Sequence, residues 1–145
     1  METFERALER VRWVYQLRVY GYVVMPEHVH LLISEPDRST LSQAIKSLKQ
    51  GVSRRLIRSA TQFWEKRFYD FNVHDERKRV EKLKYLHRNP VARGLCRLPE
   101  DWRWSSFLHY ATGVEGIVEI ESEWTARKRE RALAPELPHS SQQKA

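Results

Sequence analysis

Two short segments with alternating apolar residues, Val19–Met25 and His28–Ser34, are separated only by the Pro-Glu pair at positions 26 and 27. Both segments have the character of β-strands, and strands joined this tightly predict an antiparallel hairpin. Alternation sends three aliphatic side chains of the second strand to one face, and two histidines and a leucine to the other. The aliphatic set is Val29, Leu31 and Ile33, and the other set is His28, His30 and Leu32. Helices are expected to cover the aliphatic face.

Helical spacing on either side of the hairpin supplies these helices. Glu2–Arg18 places apolar residues three and four positions apart, and a second helix is predicted to begin at Thr40, which forms a capping-box pattern with Gln43. The segment 63–73 fits either a third strand or an aromatic loop. These elements predict an α+β fold in one domain over residues 1–125, followed by a polar, disordered tail over residues 126–145.

Size and composition exclude several classes of protein. A chain of 145 residues, 41 % hydrophobic and 31 % charged, is long enough for one core and has the balance of a globular domain. No apolar run approaches 18 residues and the first turns are rich in charge, so we expect neither a membrane span nor a secretory leader, and a cytoplasmic location. Because Cys96 is the only cysteine, a metal site would use histidine and oxygen ligands.

The positive charge is concentrated in one region. Residues 46–97 hold 15 Lys or Arg against 5 Asp or Glu, a balance of +10, whereas the remaining 11 against 14 give −3. A basic region interleaved with aromatic residues suits a polyanion that offers phosphates and flat bases, and a solvated basic surface is the alternative. The candidate DNA-binding residues are Lys46, Lys49, Arg54, Lys78, Lys82 and Arg88.

A third helix is predicted to begin after Asp75 and to stop close to Asn89, because Pro90 disfavours helical dihedral angles in the residue before it. On this helix Tyr85 lies away from the apolar stripe, among lysines and one turn before Asn89. An aromatic residue in such a place is either a displayed phenol or an ordinary surface tyrosine. His87 falls on the apolar side and is predicted to be structural.

His28 and His30 project from the same strand face, about 7 Å apart at their attachment points, so both imidazoles can reach one ion. The pair alone is more typical of ordinary polar residues at a strand start. Combined with Tyr85 and the carbonyl oxygen of Asn89, it predicts a site for cutting DNA, in which a divalent ion polarises a phosphate and the phenol attacks it. Lys78 and Lys82 are candidates for lowering the pKa of the phenol.

Four motifs, in order, resemble the REP-associated tyrosine transposases, a family of single-tyrosine HUH transposases from bacterial insertion sequences. They lie within Val19–Pro36 and Phe63–Tyr110, which together hold 66 of the 145 residues. The matching residues are GYVVMPEHVHLL at 21–32, Phe63-Trp64 with Arg67-Phe68-Tyr69-Asp70, YLHRNPVARGL at 85–95, and DWRWSSF at 101–107.

The resemblance implies a ferredoxin-like (RRM-like) antiparallel sheet with packed helices. It also implies Mg²⁺ or Mn²⁺ bound by His28, His30 and Asn89, and attack by Tyr85 on single-stranded or hairpin DNA of palindromic repeats to leave a 5′-phosphotyrosine. An enzyme of this kind would be a nucleoid-associated endonuclease and strand transferase, with a homodimer as one option. Trp102 and Trp104 belong to one motif, but we expect them to pack in the core.

One departure from the family concerns the strand that usually precedes the first helix, since here the helix opens at Glu2. A misplaced start codon, a strand from another chain, or a decaying copy would each explain it. An inactive hairpin-binding remnant is therefore an alternative function. A second alternative is an RNA-binding module on the same palm-like fold, in which bases would stack on Tyr20 and Tyr22.

Overall fold

The computed structural model of the protein describes residues 1–55, 68–71 and 76–134. The elements follow the predicted order of a helix, a hairpin, a helix, a strand and a long helix. They are α1 (Glu2–Tyr15), β1 (Val19–Val24), β2 (Val29–Ile33), α2 (Leu41–Arg55), β3 (Phe68–Phe71), α3 (Glu76–Ala92), a 3₁₀ turn (Pro99–Asp101), α4 (Phe107–Thr112) and α5 (Glu123–Leu133).

The sheet has the order β1-β2-β3. β1 and β2 pair antiparallel, as predicted for the hairpin, whereas β3 joins β2 in parallel, with Val29 opposite Phe68. The sheet is therefore mixed. Parallel neighbours require a crossover connection, and α2 lies in the connection from β2 to β3. In a split β-α-β unit of a ferredoxin-like fold another strand lies between these two. In the part of the chain that the structure describes, no strand precedes α1, and β3 pairs directly with β2.

Helices cover both faces of the hairpin. Val29, Leu31 and Ile33 are buried in one cluster with residues of α1 and α2, whereas Leu32 is buried on the other face with Leu86 of α3. The predicted division of the β2 side chains between the two faces is thus confirmed. The α+β class is confirmed as well, and α3 is the element that covers the histidine face.

The outer edge of β1 is closed by segments that lie far along the chain. The Val24 N–H donates to the Trp104 carbonyl at 2.9 Å, and the Glu121 N–H donates to the Val19 carbonyl at 2.8 Å. Isolated bridges join Val23 to Ser105 and Val19 to Ile120. These contacts satisfy polar groups that an open edge would leave exposed, so the hairpin is not an edge on this side.

The ends of two helices differ from the sequence prediction. α1 ends at Tyr15 instead of Arg18, because Gln16 adopts a left-handed conformation with φ 52° and caps the helix. α3 continues through Pro90 to Ala92 instead of stopping near Asn89. Pro90 lies in the last turn, where the Arg93 N–H donates to the Asn89 carbonyl at 2.9 Å, and the helix ends at Ala92, two residues before Gly94.

The predicted tail is partly helical. α5 covers Glu123–Leu133 and begins at Ser122, whose hydroxyl accepts a hydrogen bond from the Thr125 N–H. Residues 126–133 therefore belong to a helix, and residues 135–145 lie outside the described part of the chain. The predicted cap at Asp75 and the motif residues Phe63, Trp64 and Arg67 also lie outside it. Within the described ranges, no helix is both long and apolar enough to cross a membrane.

Candidate active site

The two histidines predicted as metal ligands lie together at the start of β2. His28 lies just before the strand and is half-buried, and His30 is 4 % exposed. Their rings are stacked, with centroids 6.4 Å apart and an interplanar angle of 17°. This arrangement follows from the two-residue repeat of a strand, which returns side chains i and i+2 to the same face.

Helix α3 brings the predicted nucleophile to the same place. Leu86 is buried against Val23, Met25 and Leu32, which fixes the helix on this face of the hairpin. The next residue toward the N-terminus, Tyr85, turns its ring edge-on to His30, with centroids 5.9 Å apart and an interplanar angle of 86°.

The phenol and the amide approach the histidines from successive turns of α3. Tyr85 is 59 % exposed and so open to a large substrate, whereas Asn89 is buried, with its Nδ2 2.9 Å from Nε2 of His30. Residues four apart lie on the same side of a helix, one turn above the other. The structure thus brings together all four predicted site residues, His28, His30, Tyr85 and Asn89, whose chemical roles stay predictions.

Burial controls the charge of the site. The pKa of His30 is lowered to about 4, chiefly by burial and to a smaller extent by the charges of His28 and Arg93. A neutral imidazole is the form that binds a metal ion. Arg93 was not among the predicted site residues, although it lies four residues after Asn89 and eight after Tyr85, a spacing that repeats one face of the helix.

The side chains of the site could hold a divalent cation, and its identity as Mg²⁺ or Mn²⁺ stays a prediction. Two imidazoles would supply two of the roughly six ligands that such an ion takes. The side-chain oxygen of Asn89 would supply a third after rotation of its amide. Water and a substrate phosphate would supply the others. Among the described residues there is no cluster of three or more His, Cys, Asp or Glu side chains that could hold a metal, so this site depends on the amide and the substrate.

Packing behind the site confirms two predictions. His87 is buried and its Nε2 lies 2.7 Å from the Ser106 Oγ, so it is structural, and burial lowers its pKa to about 4. Trp102 and Trp104 pack against the two core clusters, and Trp102 donates from Nε1 to the Val24 carbonyl at 2.9 Å. These contacts join α3 and the Trp-rich segment to β1.

The six candidate DNA-binding residues do not form one surface. Lys78, Lys82 and Arg88 belong to α3, on the histidine face, whereas Lys46, Lys49 and Arg54 belong to α2, which packs on the opposite face. These residues are close along the chain but not in the fold. The sheet between the two helices separates them. Lys82 is half-buried and the other five are exposed.

The aromatic residues expected by the RNA-binding alternative are not available for stacking. Tyr22 is 4 % exposed and its hydroxyl donates to the Glu5 carboxylate in the core. The ring of Tyr20 is covered by the guanidinium of Arg79, 4.6 Å from its centroid. The prediction that these two side chains could receive bases is wrong, because α1 and α3 cover the faces on which they lie.

Comparison with known proteins agrees with the geometry. A family model described as "Transposase IS200 like" matches residues 1–89, a range that includes the hairpin histidines, Tyr85 and Asn89. A candidate REP-associated tyrosine transposase of Haemophilus influenzae is 26 % identical over 117 residues, which cover 72 % of this chain and 66 % of the relative. The REP-associated tyrosine transposase of Escherichia coli K12 is 22 % identical over 107 residues, covering 73 % and 64 %.

A solved structure of a REP-associated tyrosine transposase bound to a REP hairpin superposes with a TM-score of 0.61 at 20 % identity, covering 83 % of this chain and 73 % of the other. This likeness shows a shared fold. The chain spans slightly less than two thirds of the length of each of the two sequence relatives. With a family match over residues 1–89 and the fold in agreement, the chain belongs to the IS200-like transposase family, as its resemblance to the REP-associated tyrosine transposases predicted.

Proposed function

We propose that this protein is a metal-dependent single-stranded DNA endonuclease and strand transferase that acts on hairpin DNA from palindromic repeats. The observation that carries the proposal is the meeting of an exposed phenol with two histidines and an amide: Tyr85 and Asn89, one turn apart on α3, both contact His30. Nucleophile and ligand set must lie this close for one phosphate to touch both. Such an enzyme would act in the cytoplasm, at the nucleoid.

In the proposed reaction the Tyr85 oxygen attacks a backbone phosphorus. A tyrosine–phosphorus bond forms, the bond from phosphorus to the 3′ oxygen breaks, and the phenolic proton leaves to solvent while the departing oxygen takes up a proton. The product is a 5′-phosphotyrosine and a free 3′ hydroxyl. Attack by another 3′ hydroxyl reverses these bond changes and joins a new strand without a nucleotide cofactor.

The chain's own residues position this chemistry. His28 and His30, with the Asn89 oxygen, would hold the divalent cation, which polarises the phosphate and offsets negative charge on the departing oxygen. The low pKa of His30 keeps its ring neutral and able to bind metal at neutral pH. Arg93, whose positive charge acts on His30, is suited to the phosphate as well.

The test is the formation of a covalent adduct. The protein is incubated with hairpin DNA carrying single-stranded flanks and Mn²⁺, and a labelled DNA end is followed on a denaturing gel. We expect a protein-linked 5′ end that Tyr85→Phe abolishes. The matched control is Tyr20→Phe, on the same side of the sheet, which keeps the ring under Arg79 and should leave the adduct unchanged. Cleavage that survives Tyr85→Phe would exclude this tyrosine as the nucleophile.

Metal binding has its own readout. Titration of the protein with Mn²⁺, followed by the electron paramagnetic resonance of free Mn²⁺, should give a single site that His28→Ala removes. His109→Ala is the matched control and should leave Mn²⁺ binding unchanged, because the ring of His109 is held by the Val114 carbonyl and the Ser122 hydroxyl, away from this site. A protein that binds hairpin DNA but forms no adduct in Mn²⁺ would be the binding remnant instead.

A further inference from the structure

A groove between α1 and α2 lies on the side of the sheet opposite to Tyr85. It has a volume of about 320 Å³ and is bordered by Arg6 and Arg10 of α1 and by Gln50 and Arg54 of α2. On each helix the two side chains are four residues apart, so they form rows along the groove, with a spacing of about 6 Å along the helix axis.

Small residues also line the groove, among them Ala7 and Gly51. A β-carbon at Gly51 would lie 3.8 Å from the Cβ of Ala7, an ordinary van der Waals contact. The packing of the two helices therefore does not require glycine here, and glycine in a helix costs about 1 kcal/mol relative to alanine. An alanine would be accepted by the fold, but its methyl group would fill part of the groove.

The charges around the groove favour an anionic ligand. Its described lining includes three arginines and no carboxylate. Glu2 accepts hydrogen bonds from Arg6 at 2.8 and 3.1 Å, and among the described residues this offsets the charge of Arg6 alone. Guanidinium groups that border one concave space repel each other and raise the local concentration of anions. A polyanion would relieve this repulsion.

We propose that the groove binds the phosphodiester backbone of single-stranded DNA flanking the hairpin. The guanidinium groups of Arg10 and Arg54 can each bind phosphate oxygens in a bidentate manner, and Ser47 and Gln50 supply neutral donors. The spacing of the arginines along α1 is comparable to that of successive phosphates. The identity of the polyanion rests on the proposed function. The groove extends it by adding a second DNA contact across the sheet from the site of cleavage.

The experiment measures DNA binding by fluorescence anisotropy, in the Tyr85→Phe background and in EDTA, so that cleavage does not contribute. One hairpin carries single-stranded flanks of about 15 nucleotides, near the upper end of the lengths that one single-strand-binding domain covers. The other hairpin is trimmed to the stem. The variant Arg10→Gln/Arg54→Gln should weaken binding of the flanked hairpin about tenfold. Loss of two phosphate contacts should also reduce the slope of log affinity against log salt by about 1.4. Binding of the trimmed hairpin should change less than twofold.

The control removes the same charge elsewhere. Arg127→Gln/Arg131→Gln lies on α5, outside the groove, and should leave the difference between the two DNAs intact. Ser47→Glu places a carboxylate inside the groove and should reproduce the loss without removing an arginine. Equal weakening of both DNAs, or by both double variants, would overturn the proposal. If the parent protein forms the adduct with Mn²⁺ but the binding assay shows no effect of the flanks, the groove alone is refuted. If the flanks matter but the parent protein forms no adduct, the proposed function alone is refuted.

Discussion

Gly21 of β1 lies directly against Leu83 of α3, the helix that carries Tyr85. A β-carbon at this position would lie far inside the contact distance of the Leu83 Cδ2 and 3.2 Å from the Ser106 Oγ. Carbon atoms normally stay about 3.5–4.0 Å apart, so Gly21→Ala forces Leu83 to move by more than about 1 Å. We expect a loss of unfolding free energy of about 1–3 kcal/mol, the usual cost of overpacking.

A double-mutant cycle isolates this clash. Leu83→Ala removes a half-buried side chain and should cost about 2 kcal/mol by itself. In Gly21→Ala/Leu83→Ala the new methyl group occupies the space that the leucine vacates, so the two losses should fall short of their sum by about 1–3 kcal/mol. Urea unfolding at one pH measures all four free energies.

The same variants report on the site. Leu83 lies two residues before Tyr85, so a shift of the helix at Leu83 moves the phenol away from His30. Gly21→Ala should therefore lower the yield of DNA adduct, and the double variant should recover part of it. Gly116→Ala is the matched control, because nothing lies within 4 Å of its β-carbon, and it should change neither stability nor adduct yield. Additive losses in the cycle would refute the argument that this glycine sets the distance between helix and sheet.

Three further predictions concern the packing behind the site. The pKa of His87 is about 4, below the unfolded value of 6.5, so the stability it contributes is present above pH 6.5 and lost as the pH falls toward 4. In His87→Gln the free energy of unfolding should fall less between pH 6.5 and pH 4, by up to about 3 kcal/mol, in unfolding curves. Burial raises the pKa of Glu5 despite the hydrogen bond from Tyr22, so the stability that Glu5 contributes is complete below its pKa in the unfolded chain and is lost as the pH rises through its pKa in the folded protein. The stability of Glu5→Gln relative to the parent should therefore increase from pH 4 to pH 7, and a constant difference would contradict this. Trp102→Phe loses the hydrogen bond to the Val24 carbonyl and should cost about 1 kcal/mol in thermal or urea unfolding, whereas an unchanged midpoint would mean that this bond does not hold the segment.

Local pattern was enough to predict the hairpin, its two faces and the tyrosine helix. The two-residue repeat of β2 separated Leu31 from His30 correctly, and the placement of Tyr85 away from the apolar stripe predicted its exposure. Val80, which helical spacing assigns to the same apolar stripe as His87, is 44 % exposed, so that part of the stripe was predicted wrongly. The convergence of His30 with Asn89 could be predicted only by combining the pattern with the family resemblance, because the two residues are 59 positions apart.

The errors come from interactions that have no local signal. Pro90 was expected to end α3, but the helix runs two residues past it, and its last turn is completed by the hydrogen bond from the Arg93 N–H to the Asn89 carbonyl. The basic residues of α2 and α3 are close in sequence and lie on opposite faces, which depends on where the sheet lies. The parallel pairing of β2 with β3 likewise follows from a crossover whose course no short window reveals.

Closure of the β1 edge by Trp104–Ser106 and Ile120–Glu121 has a consequence for synthesis on the ribosome. The hairpin is translated early, and the residues that cover its outer edge emerge roughly 80 to 100 positions later. A nascent chain released before residue 104 would display the backbone groups of Val19 to Val24 and could pair with other chains through them. Premature termination should therefore yield fragments that aggregate. In the full chain, Trp104–Ser106 covers this edge and so prevents its pairing with other chains.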